Sequence, residues 1–204
     1  MIIELIMSLN SVGYRFATIC SSNVNRSMEA HDLFEKNNLN VVSYGTGSEI
    51  KIPGLTAKTP LSYKFGTDYE LILNDLIDKN KEFFTKREII PMLQRDMRVK
   101  RAPQRFQDER KINDIDVCIC FDERVFDLVL EDLQFRGCID MKPIFVFNLH
   151  VQDRPSSARE GARNALHLAE LLNKCSCLER EACDVKKRFE DETGIPLLFS
   201  LFYI

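Results

Sequence analysis

Neither sign of charge prevails in this chain: 28 lysines and arginines face 31 aspartates and glutamates. That balance lacks the basic stripe of a nucleic-acid reader, so no direct nucleic-acid contact is expected. No apolar run approaches the roughly 20 residues that span a bilayer, and no membrane role is expected. The apolar stretch Met1–Met7 is short and has no basic flank, unlike a secretory signal peptide. The seven cysteines are odd in number, irregularly spaced and set in apolar segments. They make no disulfide framework, and a reducing compartment, cytosol or nucleus, fits them. Repeats, low-complexity tracts and interdomain linkers are missing too. The 204 residues suffice for one well-buried domain and are few for two, so a single domain over 1–204 is expected.

What is present is a strand–helix alternation. Residues 1–13 read as a lead-in and Tyr14–Ile19 as the first strand. A helix is predicted from Ser27 to Asn37 or Asn38, and a β-branched second strand over Val41–Gly45. A helix between two strands is the βαβ pattern, which implies a parallel sheet. Residues 46–66, rich in glycine and proline, read as an irregular loop. Three-to-four spacing of Tyr69, Ile72, Leu73, Leu76 and Ile77 predicts a helix from Thr67, with a second one over Glu88–Asp96 and Pro91 in its first turn. The segment 46–107 is thus a loop and helical insertion large enough to cap a site. Its basic run Arg95–Arg105 reads equally as part of that cap or as a solvated surface loop. Ile115–Phe121 is the third strand, Glu123–Phe135 its helix, and Pro143–Leu149 a nearly all-apolar fourth strand. A capping box at Ser157–Glu160 predicts a long helix ending at Gly194, with a bend near Lys174–Cys177. Leu197–Ile204 reads as a final strand on a sheet edge. The expected fold class is α/β, a three-layer doubly wound, mostly parallel sheet.

One stretch organises this pattern: Cys20-Ser21-Ser22-Asn23-Val24-Asn25-Arg26-Ser27, placed where a strand ends and a helix begins. A helix start presents unpaired N–H groups and a positive dipole end to anions. The dipole and a nearby guanidinium favour the charged form of a thiol there, and a thiolate is a ready nucleophile. Arg26 adds a planar fork for two phosphate oxygens. The spacing decides little by itself, since seven cysteines and fifteen arginines give a Cys-x5-Arg match about 0.5 times by accident. Cys118 to Arg124 is a second such match, but Phe121, Asp122 and Glu123 in its loop would crowd and repel a phosphate. The Cys20 loop is uncharged and mostly small, and it is the preferred site. Cys118 and Cys120 share one face of a strand and read as core. Cys175 and Cys177 would point to different sides of a helix, which argues against joint ligation.

Residues 20–31, Cys-Ser-Ser-Asn-Val-Asn-Arg-Ser-Met-Glu-Ala-His, resemble the active-site loop of the RNA polymerase II C-terminal-domain phosphoserine phosphatases, a family with a low-molecular-weight tyrosine phosphatase-like fold. Further matches are Ser43-Tyr44-Gly45-Thr46-Gly47, Lys51-Ile52-Pro53-Gly54, Pro91-Met92-Leu93-Gln94-Arg95-Asp96, Arg105-Phe106-Gln107 and Asp122-Glu123-Arg124-Val125-Phe126-Asp127. The resemblance implies a metal-independent, cofactor-free phosphatase acting on the heptad tail through a phosphocysteine. It implies Asp153 as general acid, and Val24, Lys51, Ile52 and Pro53 as a groove for a turned Ser-Pro peptide. A symplekin-type scaffold of the cleavage and polyadenylation complex is the implied partner. Transcription termination and pre-mRNA 3′-end processing are the implied setting, chiefly in the nucleus.

Phosphate ester cleavage needs a nucleophile, charge stabilisation and a proton for the leaving alkoxide. Cys20 is assigned the attack, Arg26 and the amides of Ser21 to Arg26 the phosphoryl oxygens, and Ser27 a hydrogen bond to the thiolate. Asn23 and Asn25 are expected to pin the loop through side-chain-to-backbone bonds. Asp153 is followed by Arg154 and then Pro155, whereas low-molecular-weight tyrosine phosphatases place proline directly after the acid. His31, inside a helix, and His150, at a strand end, are assigned no catalytic role. Two alternatives stay open: an arsenate reductase or general tyrosine phosphatase on the same scaffold, and a catalytically idle scaffold subunit.

Overall fold

The computed structural model describes residues 13–56, 59–138 and 140–204, so the expected lead-in, apart from Gly13, lies outside the described residues. In chain order the elements are β1 (Phe16–Cys20), α1 (Arg26–Lys36), β2 (Val41–Gly45), β3 (Ile50–Ile52), β4 (Leu61–Tyr63), α2 (Tyr69–Lys86), α3 (Ile89–Val99), β5 (Val117–Cys120), α4 (Glu123–Arg136), β6 (Pro143–Leu149), α5 (Pro155–Asn173), α6 (Leu178–Thr193) and β7 (Leu197–Tyr203). Two single 3₁₀ turns, Phe106–Asp108 and Ile112–Asp114, precede β5.

Five strands form the central sheet in the order β2-β1-β5-β6-β7. The first four run parallel, and β7 lies antiparallel on the edge beside β6. β1 and β5 are buried from end to end, as strands covered on both faces must be. Their side chains alternate between two cores. Phe16, Val117, Ile119, Phe145 and Phe147 pack under α1, α5 and α6. Ala17, Ile19, Cys118, Cys120, Ile144 and Val146 pack under α4. The result is the three-layer, mostly parallel α/β architecture expected from the strand–helix alternation.

Chain direction reverses between β1 and β5: one connection leads outward to β2, the other to β6. Such a switch point opens a crevice at the carboxyl ends of the strands, where ligands bind. Cys20, Phe121 and Leu149 all leave their strands at that end. The segment 46–107 builds a third core above it, in which Ile50, Ile52, Tyr69, Ile72, Leu76 and Leu93 enclose Val24 and Met28.

Four expectations are corrected. Residues 46–66 are not wholly irregular, because β3 and β4 pair as an antiparallel hairpin, Ile50 opposite Tyr63 and Ile52 opposite Leu61. The alternation of buried Ile50 and Ile52 with exposed Lys51 is too short a signal to stand out from the surrounding glycines and prolines. The long helix from Ser157 is two helices, α5 and α6, broken at Lys174–Cys177, where the Glu181 carboxylate accepts from the amides of Ser176 and Cys177. Cys175 and Cys177 therefore lie in that break and not on a helix. The cap of α5 is also earlier than the Ser157 box, since Pro155 takes the first helical position behind Arg154. The C-terminal signal holds: Gly194, at φ 69°, closes α6 in the left-handed conformation that glycine tolerates best.

Candidate active site

The apolar run of β1 carries Cys20 to the sheet edge, and α1 begins six residues later at Arg26. Between them, none of the amides of Ser21, Ser22, Asn23, Val24 and Asn25 donates to a protein acceptor among the described residues. Successive free amides ahead of a helix N-terminus form a nest for an anion. Asn23 turns the loop with φ 53°, a left-handed conformation that asparagine accepts.

Ser27 Oγ lies 3.1 Å from Cys20 Sγ. Asn23 Nδ2 donates to the same oxygen at 3.0 Å, and Asn23 Oδ1 accepts from the Gln104 amide at 3.0 Å. With an acceptor site of Ser27 taken by that amide, its hydroxyl proton is left to point at sulfur. Asn23 thus pins the loop through its side chain as expected, with Gln104 as the backbone partner. Asn25 does not: its Nδ2 donates to Asp153 Oδ1 at 2.9 Å, joining the loop to the expected acid. A sequence reading finds only local partners, and Asp153 is 128 positions away.

Arg26 is nearly enclosed, its side chain 5% exposed. Nη1 donates to the carbonyls of Val151 at 2.9 Å and Phe121 at 3.2 Å, and Asp122 Oδ2 is 3.4 Å away. Nε has no partner, and Nη2 has a 3.6 Å contact with Asp153 Oδ2. A guanidinium anchored on one nitrogen and open along the Nε–Nη2 edge is set for bidentate capture of two phosphoryl oxygens. The competing loop after Cys118 supplies that anchor. Its Asp122 also caps α4 by accepting from the Arg124 amide at 3.0 Å, and burial pushes the Cys118 thiol up to about 12.

A cleft of about 300 Å³ opens above Cys20. Ser22, Val24, Asn25, Lys51, Ile52, Pro53 and Asp153 line it, together with Arg87, Ile89, Met92, Arg154 and Pro155. Sequence-chosen residues from three distant segments therefore meet in one place, with Arg26 and Ser27 buried beneath. Ser22 Oγ accepts from the Lys51 amide at 3.0 Å and so ties the hairpin to the loop. Arg87, Ile89 and Met92 were missed because they sit at the α2–α3 junction, where no local pattern points inward. The basic run Arg95–Arg105 is not simply solvated: Arg95 is buried against the loop, and Lys100 Nζ donates to the Ser43 carbonyl at 2.6 Å. His31 is buried and bonded to Ser43 Oγ at 2.8 Å. Burial and the nearby Lys100 charge push its pKa down, so the ring is neutral at pH 7. His150 is exposed beyond β6.

Gly45, at the end of β2, gives a first prediction. A Cβ there would lie 2.7 Å from the Ser21 carbonyl oxygen and 3.0 Å from the Asn23 amide nitrogen. Both are backbone atoms of the loop and have nowhere to retreat. Gly45→Ala is expected to leave the protein folded and to cut turnover by roughly 10–10², the scale of a catalytic group misplaced by about 1 Å. Thermal unfolding and steady-state kinetics on one preparation check it.

Residues 14–204 match the family described as Ssu72-like protein. The chain belongs to the Ssu72 family. A Danio rerio relative, the RNA polymerase II C-terminal domain phosphatase SSU72, is 39% identical over 93% of this chain and 96% of its own. Drosophila melanogaster supplies two solved relatives. The serine phosphatase of RNA polymerase II CTD is 37% identical, with a TM-score of 0.90 over 93% of this chain and 99% of that one. Ssu72 with symplekin, bound to a cis peptidomimetic CTD phosphoserine peptide, is 35% identical, with a TM-score of 0.88 over 93% and 97%. Of the alternatives, a reductase on this scaffold would need a resolving thiol beside Cys20. Cys118 and Cys120 lie fully buried in the core under α4, and burial pushes both thiols far above the ordinary range. An idle scaffold has no use for unpaired loop amides and an open guanidinium edge.

Proposed function

We propose that this family member is a cysteine-dependent phosphatase that removes phosphate from serine in Ser-Pro motifs of the RNA polymerase II C-terminal-domain heptads. The whole chain is read as one phosphatase domain, with 46–107 as its cap. The observation that carries this reading is the row of free amides at Ser21–Asn25 beside Cys20 Sγ and the open edge of Arg26. The substrate class follows that of the relatives just described.

In the first step Cys20 sulfur attacks phosphorus. The S–P bond forms as the P–O bond to serine breaks, and the Asp153 proton goes to the departing oxygen. In the second step water attacks phosphorus, the S–P bond breaks, and the Asp153 carboxylate takes the water proton. Inorganic phosphate leaves, and the thiolate returns to its hydrogen bond with Ser27. Arg26 and the loop amides hold the equatorial oxygens throughout. No metal or cofactor enters the scheme.

Val24, Lys51, Ile52 and Pro53 form the wall along which the peptide lies, and a symplekin-type scaffold is the proposed protein partner. Work in transcription termination and pre-mRNA 3′-end processing, in the nucleus, completes the proposal. The test is phosphate release from a panel of phospho-heptad peptides with chelator present. Release is expected with no added metal, and a protein silent on every peptide would end the reading. Lys51→Ala and Pro53→Ala are expected to raise KM for those peptides and to leave p-nitrophenyl phosphate nearly unaffected, because they meet the peptide and not the phosphoryl group. Equal losses on both substrates would mean that the hairpin shapes the catalytic loop.

A further inference from the structure

In a planar trans peptide the carbonyl of one residue points opposite to the amide of the next. If the Val24, Asn25 and Arg26 amides face the anion, the carbonyls of Asn23, Val24 and Asn25 face away from it. Buried there, each needs a donor. All three have one. Tyr69 Oη donates to the Asn23 carbonyl at 2.5 Å. Arg95 Nη2 donates to the Val24 carbonyl at 2.9 Å and reaches the Asn25 carbonyl at 3.4 Å. The Asn25 carbonyl also accepts from the Glu29 amide at 2.9 Å.

The two side chains are built for this task. Tyr69 is fully buried, and burial holds its pKa well above the ordinary phenol value, so it stays a donor. The Arg95 guanidinium cannot swing: Asp96 Oδ1 takes Nε at 2.9 Å and Nη2 at 2.7 Å, and the Glu29 carboxylate takes Nη1. Three of its nitrogens are committed in one plane, which a lysine cannot imitate. Arg95 does not line the cleft above Cys20.

We infer that Arg95, seconded by Tyr69, is a positioning residue for phosphoryl transfer, which aims the loop amides by holding the carbonyls behind them. The guanidinium also draws electron density from the Val24–Asn25 peptide group, which strengthens its N–H as a donor to the phosphoryl oxygens. The cap segment thereby completes the anion site from behind, in addition to walling the cleft. The inference rests on the phosphatase reading of the cleft, but its test does not depend on turnover.

Arg95→Lys keeps the charge and loses the fork; Tyr69→Phe removes one oxygen, keeps the packing, and serves if the first variant does not fold. The probe is tungstate, whose binding is measured by calorimetry alongside kcat on a phosphoserine heptad peptide and on p-nitrophenyl phosphate. Tungstate affinity and both kcat values are expected to fall together, by about 10–10² for Arg95→Lys and by less for Tyr69→Phe, because the amides grip the phosphoryl group whatever the leaving group. Folded variants that bind tungstate as the wild type does would overturn the inference, whatever their turnover. A wild type that binds tungstate more tightly than the variants, yet hydrolyses neither substrate, would support the positioning and sink the phosphatase reading.

Discussion

Cys20→Ser is expected to lower turnover by about 10⁶, the scale of losing the nucleophile of a covalent mechanism. The protein should fold as before. The replaced sulfur is buried and already hydrogen-bonded to Ser27 Oγ at 3.1 Å, and a hydroxyl can take the same bond. A serine hydroxyl, with its proton firmly held at neutral pH, does not replace a thiolate as attacking group. Cys118→Ser is the control. Its thiol is fully buried in the core under α4, and burial pushes it up to about 12, so its loss should spare turnover. Iodoacetamide at pH 7 should likewise leave Cys118 unmodified in the folded protein. Rapid acid quench during turnover should trap a phosphocysteine in the wild type and none in Cys20→Ser. A Cys20→Ser protein with wild-type activity would end the covalent mechanism.

Asp153→Asn should separate substrates by their leaving groups. A serine alkoxide is a poor leaving group and departs only as it is protonated, whereas p-nitrophenolate departs without help. Asn keeps the shape of Asp153 and can still accept the 2.9 Å bond from Asn25 Nδ2, but has no acidic proton to give. The expected loss on phosphoserine peptide is about 10²–10⁴, the contribution of a positioned acid. The loss on p-nitrophenyl phosphate should be clearly smaller, and the pH profile should change with it. With 62% of its side chain exposed, Asp153 is open to the solvent water that the second step consumes. Equal damage to both substrates would make Asp153 a structural partner of Asn25 and Arg26. The proton would then come from elsewhere, with the exposed His150 the next residue to replace.

These two losses differ in kind from the one expected of Arg95→Lys. Asp153 acts on the leaving group, so its loss scales with leaving-group basicity. Arg95 acts on the amides that hold the phosphoryl group, so its loss is the same for both substrates. The contrast separates the roles without a bound-state structure.

Much of the site was legible because its chemistry is local. Cys20, Ser21 to Asn25, Arg26 and Ser27 are consecutive, and an apolar run before them with a helix pattern after them places the loop at a strand-to-helix turn whatever surrounds it. The parallel strands were legible for a similar reason: strands buried on both faces are apolar throughout, and β1, β5 and β6 read that way. The preference for Cys20 over Cys118 also followed from the loop residues, since Asp122 and Glu123 repel phosphate. Left unseen was what Asp122 does instead, which is to anchor Arg26 from 96 positions away.

The sequence by itself determined the α/β alternation, the nucleophile loop and the family resemblance, because each rests on neighbours along the chain or on motifs a few residues long. Only the tertiary structure decided that 46–66 holds a hairpin and that the long C-terminal helix breaks in two. It alone showed Asn25 reaching Asp153 and Tyr69, Arg95 and Gln104 holding the loop. The physical reason is the same in each case. A β-pair of three residues and a helix break are marginal locally and are settled by packing against other elements. The partner of a buried carbonyl is whichever donor the fold brings within 3 Å, and sequence separation carries no record of that distance.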